Sequence, residues 1–336
     1  MKFPAVMKKI PRTPALLLPG LVAAFFLSLS IGSAPVPVLG GLFEWLRGQA
    51  GLNALVMGEI RLPRTLLALC VGAALGLSGA ALQGLLRNPL ADPSLTGASQ
   101  GAALGAAFVF YYALLPGLGV FAPLLAGLIG AGLTLLLTLW LAGPGRPALL
   151  LLAGLAIASL AGAALAAVLN FAPNPFAMQE LVFWLLGSVS ERGMAHLVFL
   201  LPALLIGSAL IWRQRPLLAA LSLGEQVAAS LGLNVRRGGR IIVLGAAILV
   251  GSAVATAGNI GFVGLVAPHL ARPLAQNRPE RLLWPAAAIG ALLVLLADMV
   301  VRLMPPGREI RLGVLTALIG APLFIRLIWK MRREWL

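Results

Sequence analysis

The chain carries little with which to do chemistry. Its one cysteine in 336 residues, Cys70, lies inside an apolar run. No disulfide can close within the chain, and no cysteine set can hold zinc or an iron–sulfur cluster. Cys70 reads as a small hydrophobe in a helix. The two histidines, His196 and His269, are too few and too far apart in sequence to make a histidine metal site, and His269, after Pro268, reads as structural. Lysine is scarce as well: there are four, and none follows a glycine. The G-x-x-x-x-G-K-[ST] phosphate loop is therefore absent, and if ATP drives this protein another chain must hydrolyse it. No acid–base pair or metal-ligand set occurs inside an apolar run, which argues against an enzyme working within a membrane. No bound cofactor is expected.

What the chain has is hydrocarbon. Hydrophobic residues make up 60% of it, charged residues only 10%, and the mean hydropathy is +0.99. A soluble protein of this size needs more polar surface than that. Ten apolar segments can be drawn, at about 14–34, 65–86, 94–115, 118–142, 148–170, 194–212, 239–257, 258–275, 283–302 and 312–330. A span needs about 20 mostly apolar residues. The expected fold is all-α, with about ten transmembrane helices in one transmembrane domain over 1–336. The eighth segment holds Gly258, Gly261, Gly264 and Pro268 and reads as a broken helix. Such a break survives at membrane depth only if protein or a water-filled cavity covers its backbone.

The net charge of +15 does not point to nucleic acid, because the basic residues sit in the short breaks between apolar runs rather than on one soluble face. With ten spans and the N-terminus inside, 18 of the 25 basic residues fall on the inner side and 7 on the outer. This is the positive-inside bias, and it predicts both termini in the cytoplasm of a bacterial inner-membrane protein. Lys8, Lys9 and Arg12 before the first apolar run also fit a signal peptide, but a retained first helix is the simpler reading. Trp45, Trp140, Trp212, Trp284 and Trp329 fall near predicted span ends, where an amphipathic ring prefers the lipid interface. Gly72-Ala73-Ala74 and Gly245-Ala246-Ala247 give a slight hint of an inverted repeat.

Four constellations stand out. In the inner loop at about 213–238, Ser222 and Glu225 have the S-x-x-E spacing of a capping box. Gly232 suits a helix end, and Val227 and Leu231 share a face. Ser222, Leu223, Gly224, Glu225, Ala228, Leu231 and Gly232 are therefore read as a short helix outside the membrane, packed on the protein's own loops or docking a partner. Arg61-Leu62-Pro63-Arg64 either anchors a helix end or presents fixed charge to an acidic partner. Asp298 and Arg302, four apart, suit an ion pair along a helix, with a proton relay as the alternative. Gly154, Ala158, Gly162 and Ala166 form a small-residue ridge that serves close packing or borders a passage.

The run from Arg61-Leu62-Pro63-Arg64 through Gly72, Gly79, Gln83, Arg87-Asn88-Pro89-Leu90-Ala91-Asp92-Pro93, Gly97 and Gly101 resembles the FecCD-type permeases. So do Ser222–Gly232, Gly258–His269 and Gly313–Pro322, in order. These permeases are the membrane subunits of ABC importers for iron–siderophore complexes, haem and cobalamin. The resemblance implies a BtuC-like fold and a homodimer, or a closely similar pair, with a passage along the shared axis. It implies an ABC ATPase subunit on the Ser222–Gly232 loop and a periplasmic substrate-binding protein meeting Arg61, Arg64 and Arg302. The ridge Gly154, Ala158, Gly162 and Ala166 would line the passage, in contact with membrane lipid and with no nucleic acid. Iron–siderophore or haem-type complexes are the expected substrates, with cobalamin the alternative. In one respect the chain departs from the family: between Glu309 and Gly313, where a proline is usual, Arg311 stands. A rival class, an ion-driven secondary transporter, needs an acidic group at mid-membrane. Asp298 is the one candidate, and it lies near a span end.

Overall fold

The computed structural model describes residues 14–32, 34–112, 114–143, 147–171, 175–305 and 310–335. Lys2, Lys8, Lys9, Arg12, Arg146, Arg308 and Glu309, which entered the charge and motif arguments, lie outside them. Among the described residues the fold is helical, with no strand. The α-helices in chain order are α1 (Pro14–Ser30), α2 (Val38–Leu46), α3 (Leu52–Leu55), α4 (Leu62–Leu86), α5 (Ala98–Tyr111), α6 (Phe121–Ala142), α7 (Pro147–Asn170), α8 (Pro175–Leu185), α9 (Met194–Arg213), α10 (Arg215–Leu221), α11 (Glu225–Ser230), α12 (Val235–Ala257), α13 (Val263–Ala271), α14 (Pro279–Arg302) and α15 (Leu312–Trp335).

Each of the ten apolar segments contains one main helix: α1, α4, α5, α6, α7, α9, α12, α13, α14 and α15. Six helical stretches are long and apolar enough to cross a membrane, among them Leu52–Leu86, in which α3, a π-helical turn at Val56–Arg61 and α4 run on as one rod of 35 residues. Leu17–Ser30, Ala98–Val109 and Leu312–Arg326 are apolar but shorter. The second segment was drawn too short at its start, because Glu59, Arg61 and Arg64 break the apolar run without breaking the helix. Three separate helices were not foreseen. The first, α2, packs on the π-turn with Trp45 against Gly58, so this tryptophan supports protein rather than lipid. The others are α8, which precedes α9, and α10, which follows it.

The core is built by backbone approach. A methyl group placed on Gly72 would overlap the Gly290 carbonyl, and one on Gly76 the Ala286 carbonyl, so α4 and α14 touch main chain to main chain. Gly101 and Gly105 of α5 meet Gly130 and Ala126 of α6 in the same way. Lipid tails offer no hydrophobic gain for joining two apolar helices, so dispersion between close backbones carries the association. Both α4 and α12 form the buried centre, whereas α6, α7 and α9 turn most of their apolar side chains outward.

The eighth segment is broken as expected. After α12 the chain leaves the helix at Gly258 and resumes only at Val263, with Phe262 in the left-handed region at φ 65°. The backbone groups freed there have partners from elsewhere. Ser188 N donates to Ala257 O at 2.7 Å, Asn259 N to Leu185 O at 3.3 Å, and Gly313 N to Gly187 O at 3.3 Å. Side chains at Gly187, Gly258 or Gly313 would collide with main chain in this three-way junction. The end of α8, the break and the start of α15 therefore cover one another, meeting the requirement for irregular backbone inside a membrane protein.

Candidate functional site

Two ends of the bundle carry polar function. At one end α4 and α9 finish and α12 and α14 start, with α10 and α11 between them. Leu217, Leu218, Ala220 and Leu221 of α10 are buried, and Arg215 donates through Nε to Glu280 O at 3.0 Å while its guanidinium lies over Trp212. A short helix is marginal alone, and these contacts hold α10 against α4 and α14. Next, α11 turns out from this base. Ala228 is fully buried, but Leu223 is 69% exposed and Leu231 63%, with Val227 beside them.

The capping box is not formed. Ser222 Oγ donates to Ala219 O at 2.6 Å and belongs to the end of α10. Gly224, at φ 114°, stands before Glu225 and leaves the start of α11 without a side-chain cap. The S-x-x-E spacing misled because a second helix ends at Ser222, so its hydroxyl is spent on the preceding turn. Glu225 instead approaches Arg87 at 3.9 Å, an exposed pair worth little by itself. Gly232 does close the helix, at φ 76°, with Gly232 N bonded to Ala229 O and Leu233 N to Ala228 O.

At the opposite end the three arginines expected to meet a binding protein are turned inward. Arg61 is only 4% exposed. Its Nη1 donates to Leu29 O at 2.9 Å and Val36 O at 3.4 Å, and its Nη2 to Ala34 O. Arg302 bonds Asp298 through Nε at 2.7 Å and through Nη2, and its Nη1 donates to Ser28 O at 3.0 Å. Arg64 reaches Asp298 from α4, with Nε–Oδ1 2.9 Å and Nη2–Oδ1 2.8 Å. The ion pair along α14 is present, and a second arginine joins it. Asp298 is 1% exposed, and Arg64 alone of the ring keeps a modest exposure, 17% of its side chain. The last carbonyls of a helix lack internal partners and carry the negative end of its dipole. Arg61 and Arg302 cap α1 in this way, and Arg61's donors are engaged by carbonyls inside the protein. Sequence spacing could not reveal this, because α1 and α14 come from distant parts of the chain.

The ridge on α7 divides. Gly154 is buried and, with Ala158, faces the turn at Gly97. A methyl group on Gly162 would meet nothing within 4 Å, and Ala166 is exposed. The packed face of α7 is Ala153, Ala161, Leu165 and Val168. His269 lies in the last turn of α13, and Arg272, just beyond it, donates to Gln83 Oε1 at 3.0 Å.

A helical bundle joined by main-chain contacts, with a broken inner helix whose backbone is covered and an exposed apolar hairpin at one end, defines a polytopic membrane permease. The sequence model of the FecCD transport family matches residues 20–330, and the chain belongs to that family. It is 39% identical to the hemin transport system permease protein HmuU of Yersinia pestis over 332 residues, covering 96% of this chain and 97% of that one. It is 37% identical to the Fe(3+) dicitrate transport system permease protein FecD of Escherichia coli K12, covering 93% and 96%. With the vitamin B12 import system permease protein BtuC of Salmonella typhi it shares 39% identity, covering 86% and 87%. A solved structure of an inward-facing metal-chelate type ABC transporter superposes with a TM-score of 0.82 at 32% identity, covering 95% of this chain and 99% of that one.

Proposed function

We propose that this chain is the membrane-spanning permease subunit of an ABC importer, crossing the inner membrane about ten times with both termini in the cytoplasm and translocating iron–siderophore or haem-type iron complexes. Cobalamin is the alternative cargo, since relatives named for haem, ferric citrate and vitamin B12 are all similar to this chain. ATP is hydrolysed by a partner ATPase subunit, a periplasmic binding protein delivers the substrate, and a second permease subunit, in a homodimer, completes the passage. The open half of α7, at Gly162 and Ala166, borders that passage. Arg64, the least covered of the arginine ring, is where an acidic binding protein can reach it.

The observation that carries the reading is the hairpin of α10 and α11. Its apolar residues Leu223, Val227 and Leu231 are exposed, while its base is held on α4 and α14. A partner seated on that face pushes directly on α4, at the centre of the bundle, and on α14 packed against it. The rival proton-driven reading rested on Asp298, whose buried carboxylate is bonded by Arg64 from α4 and by Arg302 from its own helix. Leu223→Asp with Leu231→Asp is expected to weaken assembly with the ATPase subunit by at least about tenfold while insertion and melting are kept, since a charge desolvated in an apolar contact costs more than the roughly 1.4 kcal/mol that tenfold represents. Pull-down from nanodiscs with vitamin B12-type or haem-type cargo systems reads this directly; assembly at wild-type strength rejects the hairpin as the docking element. The purified chain alone is expected to turn over no ATP, and phosphate release above a no-protein blank would overturn the division of labour.

A further inference from the structure

Arg311, the residue that departs from the family pattern, has a place in the structure that the permease reading does not use. Its guanidinium lies over the ring of Phe183 on α8, 5.1 Å from the centroid. Phe176, seven residues earlier and so on the same face of α8, is 82% exposed. On the loop between α8 and α9, Glu191 adopts φ 60° with its side chain at the surface, and Arg192 is half-buried with its Nε hydrogen-bonded to nothing. Burial, and after it the like charge of Arg311, lowers the Arg192 pKa from its ordinary range, with the neighbouring Glu191 opposing them. Among the described residues neither arginine forms a salt bridge, although Arg61, Arg64 and Arg302 are all engaged at the same end of the bundle. A half-buried guanidinium with a free Nε is costly unless an anion completes it. The two arginines flank the junction of α8, the break after α12 and the start of α15, at the end of the bundle opposite to α11.

We infer that Arg192 and Arg311, with the Phe176–Phe183 face of α8, form a receiving site for the carboxylates of an anionic metal chelate entering the passage. Guanidinium forks match carboxylates in shape and charge, and the aromatic face takes the flat or apolar body of the chelate. This rests on the import reading and narrows its cargo to carboxylate-bearing chelates over neutral ones.

The probes are haemin and ferric citrate, both carboxylate-bearing, and ferrichrome, a neutral ferric hydroxamate. They are titrated into the nanodisc-held permease–ATPase complex, with Arg192→Gln, Arg311→Gln and the double variant beside it. The wild-type complex is expected to bind one of the two anionic chelates at least about tenfold more tightly than ferrichrome, the size of one lost charge-assisted contact. The double variant should lose that preference, with melting and ATPase assembly unchanged. The inference is overturned if wild type shows no preference for an anionic chelate, or if the double variant keeps it. It is equally overturned if all three probes weaken together, or if only the affinity for the binding protein falls, since the carboxylate would then belong to that protein. Loss of ATPase assembly in wild type would sink the import reading instead, so the two failures are separable.

Discussion

Gly79→Ala is expected to separate α4 from α13. The added methyl would overlap the backbone carbonyl of Gly264, with that residue's carbonyl carbon and Cα behind it. A flexible side chain could swing away, but a carbonyl in a helix moves only if its helix moves. Overpacking typically costs about 1–3 kcal/mol, and with main chain on the far side the upper end of that range or beyond is expected. Gly264 is itself pinned, because a side chain there would strike Pro93. The measurement is the melting midpoint of the purified protein, with Gly162→Ala as the control, since a methyl group there meets nothing within 4 Å. A Gly79→Ala protein that melts with wild type would mean that the two helices are not in main-chain contact.

Asp298→Ala should be the second severe lesion. It leaves Arg302 and Arg64 facing each other where a 1% exposed carboxylate had joined them. Removing one partner of a buried ion pair costs about 3–5 kcal/mol, mostly because the remaining charge stays buried without compensation. Asp298→Asn keeps the shape and some acceptors and should fall between. The double variant Asp298→Ala with Arg302→Ala should cost less than the two single losses added together, the mark of a coupled pair. Additive losses in that cycle would mean that water, rather than the partner, satisfies each group. Stable Asp298→Asn protein should still transport with ATP, because the side chain serves to position α14, α4 and, through Arg302, the end of α1.

Much of this was legible in the chain. Apolar runs located the core of every long helix, because an 18-residue stretch without charge has few other uses. Gly258 and Gly261 announced the break after α12, whereas Pro268 is accommodated inside α13. What failed concerned polar groups whose bonding depends on where other elements start and end. Arg61 looked like a surface charge because the carbonyls of α1 that it serves lie some 30 residues earlier. Ser222 looked like a cap because nothing nearby marked Leu221 as the end of another helix. Arg192 drew no notice beyond its place in the charge tally. The one available signal was Phe176 and Phe183 on a helix too short to be read as a span, together with the odd Arg311. By contrast, Asp298 and Arg302 were paired correctly because four residues on a helix is a local distance.

The junction of α8, the break and α15 also bears on the order in which the protein is made. Leu186 O and Gly187 O lie against Gly313, and Asn259 O faces both Gly187 and Gly313. These segments leave the ribosome in sequence, with more than a hundred residues between the first and the last. Until the start of α15 arrives, the carbonyls near the end of α8 and the break have only part of their cover, and unmet backbone groups in hydrocarbon are expensive. The bundle can therefore collect its helices as they emerge, but this corner settles only when the final helix is delivered. A ribosome stalled before residue 313 would leave a chain with most of its helices in place and one unfinished seam, open to the quality-control proteases that patrol the bilayer.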